Sequence, residues 1–258
     1  MDELKKKKVA IVGTADTCHL APYTDPDFEI WGVNNGYLLL KRQTRWFEIH
    51  NITFDGKDFY RGGSKEFRGT NMNTYMENLA KLDIPVYMQQ HWDQIPKSEP
   101  YPLIEVTQAI GSQLGWFNNR NFEGAQPAWD VYTTNTISYM LALAILEKFD
   151  EIHVYGVDMA VDTEYHWQRP SCEFLIGWAV GMGIKVFIPP QCDLMKTRFL
   201  YGFQEVVQDA YMLKIKNMKT AMLKRQNDAA AAINLNTKKV EQYIGAVAAI
   251  DEMAKIWS

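Results

Sequence analysis

Acidic and imidazole side chains follow one predicted strand of this sequence closely. The stretch "YGVDMAVDTEYHW" (155–167) begins at the end of an apolar run and contains Asp158, eight residues before His166. A carboxylate at a strand end accepts hydrogen bonds from hydroxyl groups or holds a metal ion. Histidine is the side chain best suited to take up a proton near neutral pH. We therefore predict that Asp158 and His166 are catalytic and lie at one edge of an active site.

Small polar residues stand at three further places where the sequence predicts a strand end or a helix start. A glycine after a strand lets the backbone approach a phosphate or a sugar closely. Paired carboxamides can recognise a base or a ribose, and hydroxyl groups at a helix start suit an anion. Tight turns and helix caps explain the same residues almost as well. The residues concerned are Gly13 and Thr14, Asn34 and Asn35, and Thr133, Thr134 and Asn135.

The spacing of apolar residues predicts the elements that position these side chains. Nearly continuous apolar runs indicate strands buried on both faces, and apolar residues at helical spacing indicate helices. Their alternation predicts an α/β fold, a Rossmann-like doubly wound and mostly parallel sheet that binds ligands beyond the carboxyl ends of its strands. We predict strands at 8–13, 28–34, 45–51, 84–90, 151–159 and 184–190, helices at 73–82, 134–149 (capped by Thr134) and 171–183 (capped by Ser171), and long loops over 91–130.

The last quarter of the chain has a different character. Apolar residues recur near helical spacing on both sides of "NLN" (234–236), which is a plausible break. This pattern predicts a C-terminal helical hairpin. We therefore expect a nucleotide-binding domain over residues 1–202 and a hairpin over 203–258 that packs on it or joins subunits into a homo-oligomer.

Composition excludes several classes of protein. The chain has 258 residues, 47% of them hydrophobic, and a net charge of −4, so it lacks the broad basic field of a nucleic-acid coat protein. The three cysteines are far apart, which indicates neither a disulfide framework nor a zinc site. No apolar stretch approaches the length of a membrane span, about 18 residues. We expect a cytoplasmic protein.

The order of the motifs resembles that of the bacterial sialyltransferases of glycosyltransferase family 42, and more distantly that of the 6-hydroxymethylpterin diphosphokinase-like proteins. The resemblance covers roughly residues 6–200, with a poor match over 52–130. The first loop departs from the family's Gly-Asn-Gly-Pro-Ser, since it reads "GTADT" (13–17). The matching segments are "KVAIVGTADT", "FEIWGVNNGY", "YTTNTISYMLALAILEKFDEIHVYGVDM", a histidine before a helix, and "CEFLIGWAVGMGIKVFIPPQCDLM".

The resemblance implies a glycosyltransferase that moves a sugar from a nucleotide-sugar donor, CMP-linked in the family, to an acceptor hydroxyl. It implies that Asn34 and Thr134 contact the cytidine monophosphate part of the donor. His166 would be the general base, and Asp158 would shape the site. The family's tyrosine two residues beyond this aspartate is replaced by Ala160, and Tyr165 is the candidate to substitute for it.

Two alternatives stay open at this stage. A diphosphokinase-like transferase would use ATP, with Mg²⁺ on carboxylate oxygens of Asp158, Asp162 or Asp16. A non-catalytic binding or assembly protein would keep the nucleotide fold without its chemistry. The altered first loop and the long C-terminal segment favour this second alternative. The sequence does not identify the acceptor.

Overall fold

The computed structural model describes residues 6–114, 132–159, 164–197, 200, 202–203 and 209–256, with 111–114, 164–165, 209–214 and 249–256 described by their backbone alone. The chain divides into two compact units, Met1–Met195 and Lys196–Ser258. In the first unit the strands are β1 Lys8–Val12, β2 Phe28–Val33, β3 Arg45–Glu48, β4 Ile52–Phe54, β5 Phe59–Arg61, β6 Glu66–Phe67, β7 Thr70–Asn71, β8 Val86–Met88, β9 Ser98–Pro100, β10 Glu151–Tyr155 and β11 Lys185–Phe187, and the helices are α1 Met72–Ala80, α2 Leu103–Leu114, α3 Thr136–Leu146 and α4 Arg169–Gly181.

Seven strands of the described residues form one sheet in the order β11-β10-β1-β2-β3-β8-β9. Every neighbouring pair in it is parallel. The strand order runs outward from β1 through β2 and β3, and then resumes on the other side of β1 with β10. The boundary between β1 and β10 is therefore the topological switch point of the sheet. This arrangement confirms the predicted α/β, Rossmann-like, doubly wound sheet.

Side chains of β1 alternate between two hydrophobic cores. Val9 and Ile11 point to the core that contains apolar residues of α2, α3 and α4. Ala10 and Val12 point to the opposite core, which contains apolar residues of α1. Because both faces are covered, β1 reads as a continuous apolar run in the sequence.

Three local predictions are wrong. Residues 91–130, predicted as loops, contain β9 and α2, which the four prolines and the absence of a clear period concealed. Helix α3 is capped by Asn135 rather than Thr134, in a capping box with Ser138. Helix α4 begins at Arg169 with a proline in its first turn, so Ser171 lies buried inside the helix and is not its cap.

The second unit contains α5, Asp209–Ile256, a single helix of 48 residues. The predicted hairpin is therefore wrong. Residues 234–236 include neither glycine nor proline, and the helix continues through them without a break. The described side chains between Ile215 and Ala248 are all exposed. Among the described residues, no helix is both long and apolar enough to cross a membrane.

Candidate functional site

A cleft of about 490 Å³ opens at the carboxyl ends of β10, β1, β2 and β3. These four strands are adjacent in the sheet, and the switch point lies between the first two. We call this the first cleft. Open α/β sheets bind their ligands at this position. It is lined by Gly13, Thr14, Ala15, Val33, Asn34, His50, Arg61, Phe67, Arg68, Thr134, Asn135, Thr136, Ile137, Gly156, Val157, Asp158, Met159 and Gln168.

Two glycines pack against one another at the base of this cleft. The backbone N–H of Gly13 donates to the carbonyl of Tyr155 (2.8 Å), and the N–H of Ala15 donates to the carbonyl of Gly156 (2.9 Å). A Cβ atom on Gly13 would overlap with that Gly156 carbonyl. Gly156 itself has a φ of +62°, which favours glycine. The sequence predicts that the absence of a side chain at Gly13 allows close approach of a ligand. In the structure, it allows close approach of the Gly156 backbone.

Two of the three polar residues predicted as ligand-binding after β1 and β2 line the cleft. Thr14 and Asn34 line it, whereas Asn35 does not. Asn34 has a φ of 55°, and its side-chain oxygen is buried with no hydrogen-bond partner among the described residues. The guanidinium of Arg68 donates to the hydroxyl of Thr14 (3.4 Å) and to the side-chain oxygen of Asn35 (3.3 Å).

Thr134 and Asn135 line the cleft, but their side chains also join two helices. The side-chain oxygen of Asn135 caps α3 by accepting from the N–H of Ser138 (3.0 Å), and its NH₂ group donates to the carbonyl of Gln168 (2.9 Å). The hydroxyl of Thr134 contacts that of Ser171 (2.7 Å) in α4. Thr133 does not line the cleft. These bonds give Thr134 and Asn135 a structural reason for their identity.

Of the two residues predicted to be catalytic, one lines the cleft and the other does not. Asp158 lines the cleft, is partly buried, and accepts from the backbone N–H of Asp193 (3.2 Å). His166 lies in a short 3₁₀ turn at residues 164–167, is exposed, and does not line the cleft. Its ring stands edge-on to Trp167, with centroids 5.3 Å apart. The side chain of Tyr165, and the whole of Asp162, lie outside the described residues.

A buried carboxylate organises the opposite side of the cleft. Glu48, at the end of β3, is fully buried. One of its oxygens accepts from Nδ1 of His50 at 2.5 Å, and the other accepts from the hydroxyl of Tyr75 in α1. Nη1 of Arg61 lies 3.6 Å from this second oxygen. We call these four residues the Glu48 cluster; two of its members, His50 and Arg61, line the cleft.

The Glu48 cluster shifts the ionisation of its members. Burial opposes the ionisation of Glu48, but the hydrogen bond from His50 and the charge of Arg61 outweigh it, so that the pKa of Glu48 lies below its usual value. Burial, followed by the negative charge of Glu48, raises the pKa of Tyr75 well above its usual value. Burial also lowers the pKa of Arg61, an effect that Glu48 opposes. Glu48 is therefore an anion and Tyr75 a neutral donor at neutral pH.

The sequence interpretation missed this cluster, although part of it follows the rule that found Asp158. Glu48 and His50 stand at the end of a strand that the sequence predicts. Arg61 and Tyr75 come from the region 52–130, where the resemblance is poor, and only the fold brings them to β3.

A second cleft, also of about 490 Å³, lies beside the first at the ends of β3 and β8. His50 lines both clefts. The second cleft also contains aromatic and carboxamide side chains, which suit a sugar or another polar molecule with apolar faces. Its lining is His50, Asn51, Ile52, Thr53, Phe54, Met88, Gln89, Gln90 and Trp92.

Metal ligands are not clustered in the part of the chain that the structure describes. No group of three or more His, Cys, Asp or Glu side chains there could hold a metal ion. Of the three carboxylates predicted as magnesium ligands, Asp158 lines the first cleft, Asp16 is exposed outside it, and Asp162 is not described.

No protein-family model and no curated protein sequence matches the chain. Among solved structures, the sialyltransferase CstII from Campylobacter jejuni with the substrate analogue CMP-3FNeuAc is similar at 13% identity and a TM-score of 0.41, covering 70% of this chain and 79% of that one. An α-2,3-sialyltransferase from the same organism is similar at 10% identity and a TM-score of 0.41, covering 73% and 77%.

Proposed function

We propose that the chain is a nucleotide-dependent transferase, and that it transfers a sugar from a nucleotide-sugar donor to an acceptor hydroxyl. The observation that carries this proposal is the position of the first cleft. It spans the switch point of a parallel sheet, where polar groups that follow four strand ends line one cleft. The order of the sequence motifs supports glycosyl transfer as the reaction.

The donor would lie across the ends of β1 and β2. The buried side-chain oxygen of Asn34 lacks a partner among the described residues, so it is free to accept a hydrogen bond from a base or a ribose. Asp158, at the end of β10, would accept hydrogen bonds from sugar hydroxyls. Asp16, in the loop after β1, is exposed and does not line the cleft. The motif resemblance supports a CMP-linked donor.

Two histidines are candidates for the general base that accepts the proton. The sequence assigns it to His166, which is exposed and outside the first cleft. His50 has the better geometry, since a buried carboxylate holds its Nδ1 and it lines both clefts. A donor in the first cleft and an acceptor in the second would meet at His50, with Nε2 available to take the acceptor's proton.

A thermal-shift panel with CMP, CDP, UDP, GDP, NAD, and ATP with and without Mg²⁺ tests the proposed function first. A ligand at a hundred times its dissociation constant stabilises the fold by about 2.7 kcal/mol. Stabilisation by one pyrimidine nucleotide supports the proposal and identifies the base, and a transfer assay with the corresponding nucleotide sugar follows. A shift with ATP and Mg²⁺ alone would replace it by diphosphoryl transfer. No shift with any nucleotide would favour a binding or assembly protein.

We also propose that α5 joins copies of the chain. Exposed apolar residues along one face recur at helical spacing, among them Met218, Met222, Ile233, Val240 and Ile244. Most of the stability of protein helices comes from the packing of an apolar face, and packing against a second copy would bury this one. Removal of residues 203–258 should convert an oligomer into a monomer that still binds nucleotide, as light scattering after size-exclusion chromatography would reveal. If the shortened chain forms particles with as many chains as the full-length protein does, this proposal is wrong.

A further inference from the structure

Two arginines meet on one aromatic ring in the wall of the first cleft. The guanidinium carbon of Arg61 lies 3.5 Å from the centre of the Phe67 ring, and that of Arg68 lies 5.4 Å from it. All three side chains line the cleft. Arg61 ends β5, whereas Phe67 and Arg68 stand at the turn between β6 and β7. Contact with the ring holds near each other two cations that would otherwise repel.

The ion pair with Glu48 leaves part of the Arg61 guanidinium without a hydrogen bond. The carboxylate already accepts hydrogen bonds from His50 and Tyr75, and Nη1 of Arg61 is 3.6 Å away, beyond hydrogen-bond distance. This Nη1 is buried and has no hydrogen-bond partner among the described residues. A buried N–H of a charged group is unfavourable without an acceptor. An anionic oxygen in the cleft would supply that acceptor.

Arg68 adopts a backbone conformation that arginine does not favour. It forms the two-residue turn of the β6–β7 hairpin with Gly69, and their φ angles are 50° and 76°. Turns of this kind favour asparagine, aspartate or glycine at the first position. Arg68 is exposed, and its hydrogen bonds to Thr14 and Asn35 are long, at 3.4 and 3.3 Å. Stability therefore does not explain an arginine here, and a strained residue in a cleft points to function.

The charged side chains that line the first cleft on this side are both positive. Arg61 and Arg68 carry two positive charges, and the nearby Glu48 carries one negative charge. Asp158 follows β10, which is separated from β3 by two strands of the sheet. The planar, forked guanidinium group matches the oxygens of a phosphate and can bind two of them at once.

We propose that Arg61 and Arg68 together form a phosphate-binding subsite of the first cleft. This inference rests on the proposed function in one respect, since it places the phosphate of the same nucleotide ligand. It adds that the ligand's anion is bound by side chains of the β5 and β6–β7 segments, in addition to the glycine-containing loop after β1.

The test measures the binding of inorganic pyrophosphate, CMP, CDP and cytidine by calorimetry. Arg68→Asn removes one cation and fits the turn better, so this variant should be as stable as the wild type or more stable. Arg61→Lys keeps a positive charge beside Glu48 but loses the forked geometry. Arg225→Gln, an exposed position in α5, is the matched control. We expect Arg68→Asn and Arg61→Lys to weaken pyrophosphate and CMP at least about tenfold, with cytidine affected less than about twofold.

The outcomes separate this inference from the proposed function. If both variants bind pyrophosphate and CMP as the wild type does, the subsite is wrong while nucleotide binding stands. If pyrophosphate binding depends on both arginines but no sugar is transferred from any nucleotide, the subsite is right and the glycosyltransferase proposal fails. Equal weakening of cytidine and CMP, or no pyrophosphate binding by the wild type, would also overturn the subsite.

Discussion

The two sides of the first cleft present polar groups by different means. On the β10 side, Gly156 brings the backbone close to Gly13, and Asn135 uses its side chain to cap α3 and bind the carbonyl before α4. Most of what this side contributes is backbone shape and helix ends. On the β3 side, the Glu48 cluster buries a carboxylate, a guanidinium and a phenol beside a partly exposed imidazole.

Because of this difference, different changes disrupt the two sides. The β10 side depends on close backbone contacts that leave no room for side-chain atoms. One added methyl group is therefore enough to push the two backbone segments apart. A side built from buried charges depends on the balance of those charges and on pH. Variants at the two sides therefore separate the roles of shape and charge in this cleft.

Loss of the central charge should have the largest effect. Glu48→Gln keeps the shape of the side chain but leaves the guanidinium of Arg61 buried beside a neutral group. Breaking a buried ion pair in this way costs about 3–5 kcal/mol in the free energy of unfolding. Urea unfolding at pH 7 measures it, with the exposed Glu77→Gln on α1 as the control.

The pH dependence has a definite sign. Because the pKa of Glu48 is lowered in the folded state, its contribution to stability is fully present above its unfolded pKa, about 4.3. It is lost as the pH falls through the folded value. The difference between wild type and Glu48→Gln should thus shrink as the pH falls below about 4. A difference that is constant from pH 7 to pH 3 would mean that Glu48 is not the ionised centre of the cluster.

Replacement of each histidine tests which of the two acts as the general base. We expect His50→Gln to lower the transfer rate at least about a hundredfold, the usual range for loss of a general base. His166→Gln should have the smaller effect because His166 lies outside both clefts. Thermal melting of both variants controls for folding. The reverse result, a hundredfold loss at His166 with His50→Gln unaffected, would return the role to the residue that the sequence predicts.

The glycine contact should be the most sensitive point on the β10 side. Gly156→Ala would place a Cβ 2.6 Å from the carbonyl oxygen of Gly13, at a φ of +62°. We expect a loss of about 1–3 kcal/mol in the free energy of unfolding, together with weaker nucleotide binding. Gly177→Ala is the matched control. A Cβ there meets nothing within 4 Å, and alanine inside α4 should stabilise the fold by about 0.5–1 kcal/mol.

The same division explains what the sequence predicts and what it does not. The β10 side consists of residues that directly follow an apolar strand or precede an apolar helix. Gly13, Asn34 and Asp158 could therefore be predicted to lie together, since parallel strands end at one edge. The seven strands of the sheet were predictable for the same reason, except for β9, which lies in a proline-containing segment.

The β3 side depends on contacts between distant segments. Tyr75 lies 27 residues from Glu48, and Arg61 and Arg68 belong to short hairpins whose strands have only two or three residues. Strands this short carry no readable alternation of polar and apolar residues. The hairpin predicted for the C-terminus failed for a related reason, because two asparagines around Leu235 lower helix propensity only slightly and do not terminate a helix.

Substitutions of Asn135 test whether this residue, predicted to bind the ligand, has only a structural role on the β10 side. Asn135→Ala removes the cap of α3 and the hydrogen bond to Gln168, which should cost about 1 kcal/mol, the smallest effect considered. Asn135→Asp retains the capping oxygen, but it replaces the NH₂ donor by an oxygen and adds a negative charge, so its stability should lie between that of the wild type and that of Asn135→Ala. The binding of uncharged cytidine avoids the repulsion between this added charge and a phosphate. If the residue acts only in the fold, cytidine affinity changes less than about twofold in both variants. A tenfold loss of cytidine affinity in Asn135→Asp, with stability close to that of the wild type, would instead mean that the NH₂ group contacts the ligand, and that the β10 side recognises chemistry as well as shape.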